Sequence, residues 1–70
     1  MGTHWLIHVQ GGNEFAETEI GMEIEAPRKV GEVMEINLQL VGGGYRKTPC
    51  RVVKVVNTLE KKELCVEVVR

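Results

Sequence analysis

Aromatic residues are nearly missing from this chain, with Trp5, Phe15 and Tyr45 as the whole complement in 70 residues. A surface that grips bases by stacking needs aromatic faces, so their scarcity weakens a nucleic-acid reading and leaves an aliphatic core. Cysteine is scarce as well. Cys50 and Cys65 stand alone, with no CxxC, no ligand pairs at zinc spacing and no secretory leader. The expectation is therefore two reduced thiols in a cytoplasmic protein, with neither a disulfide framework nor a metal site.

Long apolar runs are also absent. The stretch from Trp5 to Val9 is far too short to span a bilayer and lacks the basic region that precedes a signal peptide, so no membrane partner is expected. Met1-Gly2 opens like a myristoylation signal, but Leu6 stands where that motif needs Ser or Thr. A formal net charge of -1 means that nothing global draws the chain to nucleic acid or an anionic membrane.

What is present is period-two alternation, which sends successive side chains to opposite faces of a strand. Ile20, Met22, Ile24 and Ala26 share one face, and Glu17, Glu19, Glu23 and Glu25 take the other. Met34, Ile36, Leu38 and Leu40 alternate in the same way with Glu35, Asn37 and Gln39. The connection Pro27 to Gly31 suits a hairpin in which Met22 faces Ile36 and Ile24 faces Met34. His4 to Gln10 reads as the first strand, closed by Gly11-Gly12-Asn13, and Gly42-Gly43-Gly44 closes the third. A fourth strand runs from about Tyr45 to Asn57, with Pro49 at an edge or kink, and a fifth from Leu64 to Val69. Phe15 has the wrong parity for burial unless the chain bulges near Ala16 or Glu17. The expected fold is thus one all-β domain, a small barrel or strongly bent antiparallel sheet of about five strands. At this length it buries only about 60% of its unfolded surface.

The last hairpin carries valines on both faces. Val52, Val56 and Val69 are the candidate surface for self-association, since large exposed apolar patches are uncommon in monomers. The alternative is scattered surface apolar residues, which are ordinary.

Candidate sites are few. His4 and His8 share a face but lie about 13 Å apart along the strand, too far to chelate one metal. Cys50 and Cys65 fall on neighbouring strands out of register, with Cys65 expected opposite Val55 or Val56, and read as small apolar fillers. No nucleophile elbow, paired carboxylate or phosphate loop is present, because Gly42-Gly43-Gly44 lacks the following Lys-Ser/Thr. No catalytic residue and no cofactor are assigned.

Charge is segregated. Seven of ten acids fall between Glu14 and Glu35, and six of nine bases between Arg46 and Lys62. In an up-and-down sheet the connections 27–31 and 58–62 share one end, so that Arg28, Lys29, Lys61 and Lys62 form a basic rim. That rim is a candidate site for RNA or a nucleotide, or a complement to the acidic strand of another copy. The competing reading is loops that are charged because they are wet.

From Thr18 onward the chain resembles the later part of a PilZ domain, a small bacterial β-barrel that in many members binds cyclic di-GMP. The residues concerned are Ala16-Glu17-Thr18-Glu19-Ile20-Gly21, similar to that family's Asp/Asn-x-Ser-x-x-Gly element, then an alternating strand, Val30-Gly31 and the late valine-rich strand. Ala16 occupies the Asp/Asn position, Thr18 replaces Ser, and no Arg-x-x-x-Arg element precedes them. The resemblance therefore implies a truncated relative without the family's ligand site.

These readings favour a non-enzymatic binding or interaction module, a homo-oligomer with room for a protein partner. The alternatives are a nucleotide or nucleic-acid binder using the basic rim, with Arg46 and Lys47 in support, and an enzyme whose site forms between subunits from His4, His8, Cys50 or Tyr45.

Overall fold

Glycines mark where this backbone reverses, and the alternating segments between them become strands. The computed structural model describes residues 2–25 and 28–70; the expected inward Ala26 and Pro27 of the connection lie outside the described residues. The strands are β1 Thr3–Gln10, β2 Glu19–Ile24, β3 Val33–Gln39, β4 Tyr45–Asn57 and β5 Lys62–Val68, with no helix among the described residues. Gly43 shows why its turn needs glycine, since its φ of 108° lies where a Cβ is strained.

Alternation sets the faces as expected. Trp5, Ile7 and Val9 of β1, Met34, Ile36 and Leu38 of β3, and Leu64 and Val66 of β5 point inward and are buried. Ile7, Leu38 and Leu64 are wholly enclosed, each contributing about 1.5–3 kcal/mol of transfer free energy. The sheet order is β2-β1-β5-β4-β3, curled into a half-barrel around this core.

Pairing differs from the expectation in two respects. β2 and β3 do not form a hairpin; β2 pairs with β1, placing Met22 opposite Trp5 and Ile20 opposite Ile7. β3 pairs with β4, placing Ile36 opposite Thr48 and Met34 opposite Cys50. Alternation tells which side of a strand is dry, and both arrangements satisfy it equally. The second difference is that β1 and β5 run parallel, from Leu6 opposite Glu63 to Gln10 opposite Glu67. No tight turn joins β1 to β5, so nothing imposes the antiparallel geometry that hairpins require.

β4 is the strand on which the curl depends. Its first part, Tyr45 to Arg51, pairs with β3, and its second part, Cys50 to Asn57, pairs with β5. The two ladders overlap only at Cys50 and Arg51, and a register shift lies between Val52 and Lys54. Such a bulge bends the strand and increases its twist. Pro49 fits within this interior strand because its carbonyl accepts from Val69 N at the far end of the β5 ladder, so its missing N–H falls where pairing stops.

Phe15 is buried, and the backbone bends at Ala16 and Thr18 restore the parity of β2. The same segment meets the end of β3. Phe15 bridges Leu40, Ala16 N donates to Gln39 O, and Val41 N donates to Glu14 O.

Candidate functional site

The valine-rich hairpin does not expose all the residues expected of it. Val52 is completely buried against Val66, its cross-strand partner, and belongs to the core rather than to a contact surface. The reason is the bulge: the extra residue lets Val52 and Val55 both pack inward, one on each side of the shift. Val53 is left outside at 39% exposure, while Val56 and Val69 are half-buried. On the same outer face Val33 stands opposite Arg51, diagonal to Val53, and is 52% exposed. Leu6 reaches Val56 through Glu63, with which each is paired.

The two basic loops leave the same side of the sheet at different levels, since Gly31 N donates to Val52 O, well before the Asn57 that pairs with Lys62. β2 finishes where Ile24 faces Thr3, and the parallel β1–β5 ladder carries that level toward the turn after Asn57. Arg28 Nη1 lies 3.7 Å from Glu32, and Lys62 Nζ donates to Asn57 Oδ1 at 2.6 Å and to the Thr58 carbonyl at 2.5 Å. Lys29 and Lys61 side chains have no hydrogen-bonded or ion-paired partner among the described residues, and no such bond joins the two loops.

His4 and His8 do lie on one outer face. The His4 imidazole lies over Gly21, where an added Cβ would stand 2.6 Å from Nε2. His8 is placed between two carboxylates, with Nε2 2.7 Å from Glu63 Oε1 and Nδ1 3.6 Å from Glu19 Oε1. The hydrogen bond from His8 is the largest influence holding the Glu63 carboxyl below its usual range, helped by the charges of Lys61 and Lys54. This trio was not legible in the sequence, because the parallel ladder alone brings Glu63 to β1. No group of three metal-ligating side chains occurs among the described residues.

Cys65 sits opposite Lys54 rather than the expected Val55 or Val56, and Cys50 opposite Val68. Both are free thiols. Cys50 is buried in the core, and burial pushes its thiol pKa up. Tyr45 is exposed at the start of β4, opposite Gln39. His4, His8, Cys50 and Tyr45 are thus spread over two faces and both ends of the sheet.

An open cleft of about 440 Å³ lies beside Gly11, Arg51, Glu67 and the last three residues. Arg70 is engaged there, donating to Glu14 and to the Gly11 carbonyl.

Compared with known proteins, the chain matches no family model, no curated protein and no solved structure at a significant level.

Proposed function

We propose that this chain is a non-enzymatic interaction module that self-associates, a second copy covering the outer face of the β4–β5 hairpin. The observation that carries this reading is the exposure of Val53, at 39%, and of Val33 diagonal to it on the neighbouring β3, at 52%, with half-buried Val56 further along β4. Removing such groups from water is favourable at about 25 cal/mol per Å². A dimer of ordinary size buries about 800 Å² per partner, a modest share of the 4822 Å² this chain exposes.

Charge favours a second copy over an unrelated partner. The outer face of β2 presents Glu19 and Glu23, whereas that of β4 presents Lys47, Arg51 and Lys54. One copy's acidic strand complements another's basic strand, which fixes orientation and speeds encounter more than it adds affinity. With Val52 in the core, Val53 takes its place beside Val56 and Val69 in this reading.

Light scattering coupled to size exclusion, at low and high salt, tests the reading. The expected result is an assembly that survives high salt and dissociates in a Val53→Glu, Val56→Glu double variant. A particle of 7.9 kDa under both conditions overturns it.

A further inference from the structure

Among the described residues, the half-barrel is zipped along one side at a single place. Phe15 and Leu40 form an isolated bridge, flanked by the bonds from Ala16 N to Gln39 O and from Val41 N to Glu14 O. Past that bridge β2 and β3 are the two edge strands of the sheet, and no Cα of β2 comes within 8 Å of a Cα of β3. Paired strands stand about 4.8 Å apart, so a strand lying between two others needs about 9.6 Å. The two edges therefore stand too far apart to pair directly with each other.

Backbone direction supports the same conclusion. Val9 N donates to Thr18 O, so alternation turns the polar groups of Ile20, Met22 and Ile24 toward β1 and those of Glu19, Gly21 and Glu23 toward the seam. On the other side Gln39 O and Val41 N already face the seam, so Glu35 and Asn37 of β3 face it too. No backbone hydrogen bond among the described residues reaches these groups of β2. Inside the seam Ile20 and Met22 remain only half-buried, packed on the core from an edge strand. Outside it the flanking side chains are Glu19, Glu23 and Glu35, all exposed.

We infer that the seam between β2 and β3 is a docking site for an extended peptide segment of a protein partner, one that alternates apolar residues with Lys or Arg. Its backbone pairs with both edges and completes the barrel as a sixth strand. Its apolar side chains meet Ile20 and Met22, and its basic side chains meet Glu19, Glu23 and Glu35. Strand addition of this kind draws affinity from main-chain hydrogen bonds and specificity from the alternate side chains. The site uses neither Val53 nor Val56 and shares only the acidic face of β2, Glu19 and Glu23, with the self-association contact.

Amide hydrogen exchange on the intact chain tests the inference, with a short blocked peptide alternating valine and lysine and a control alternating valine and glutamate. Saturation with the lysine peptide slows the amides of Glu19, Gly21, Glu23, Glu35 and Asn37 by about tenfold or more, and the glutamate peptide leaves them unchanged. A Glu23→Lys, Glu35→Lys double variant weakens the lysine peptide by about tenfold and admits the glutamate one. If that variant fails to fold, Glu23→Gln with Glu35→Gln carries the same test with a smaller loss. Exchange that neither peptide slows, or that both slow alike, overturns the proposal. So does protection of these amides in the chain alone together with a doubled particle mass, which would place a second copy in the seam.

Discussion

Arg70 grips Glu14 with both prongs of its guanidinium, Nη2 2.7 Å from Oε1 and Nη1 3.1 Å from Oε2. Glu14 also accepts from Val41 through its carbonyl, so this residue ties the β1–β2 connection, the turn after β3 and the last residue together. The hydrogen bonds from Arg70 hold the Glu14 carboxyl at about 2 instead of the usual 4.5. The folded form therefore binds this proton less readily than the unfolded chain does. Its contribution to stability is complete above about pH 4.5 and is lost as the pH falls toward 2. Acid unfolding of Glu14→Gln, followed by circular dichroism, should show a shallower pH dependence across that window than the parent.

Glu63 offers a second acid-sensitive contact with the same sign. Its carboxyl is depressed first of all by the His8 hydrogen bond, so the contact stabilises the fold above the ordinary carboxylate range and fades as the pH drops. In His8→Ala the Glu63 carboxyl should titrate closer to its usual value. Carbon-detected NMR of the side-chain carboxyls would show the shift, and an unchanged titration would mean that the 2.7 Å contact does not form in solution.

Position on either side of β4 or β5 should decide how much a truncation costs. Leu64 is fully buried, and Leu64→Ala should cost about 2–5 kcal/mol, enough to unfold much of a small domain. Val53→Ala, on the outer face, should change stability by no more than about 0.5 kcal/mol. Urea midpoints of the two variants, taken at a concentration where the chain is monomeric, would check the contrast.

The two thiols should separate by reactivity. Cys50 is fully enclosed and hydrogen-bonded to the Thr48 carbonyl, whereas Cys65 is half-buried on the outer face. With a thiol-specific chromophore, Cys65 should react first and Cys50 only as the chain unfolds. Simultaneous reaction of both in the native state would contradict the enclosed position of Cys50.

Much of the fold was legible because a strand writes its two faces into alternate residues. The runs through Trp5, Ile7 and Val9 and through Met34, Ile36 and Leu38 show their buried side directly, and the strands formed close to where they were expected. The parity fault at Phe15 pointed to a break near Ala16, and the backbone bends there. The valines were harder. Nothing in Val52-Val53-Lys54-Val55-Val56 says which residue is the extra one, so the inward turn of Val52 depended on a bulge that only packing against β5 specifies. The candidate sites were less legible still, since the carboxylates around His8 come from two different strands.

The amino-acid order alone determined that the chain is built of strands, which side of each is dry, and that acid and base are segregated along it. Only the folded chain decided that β2 joins β1 rather than β3, that β5 runs parallel to β1, and that β2 and β3 become the two edges of the sheet. The physical reason is that side-chain alternation is a local property, fixed by the geometry of each strand. Backbone hydrogen bonds are offered identically by every strand edge, and the choice among edges is settled by which arrangement encloses the most apolar surface at once.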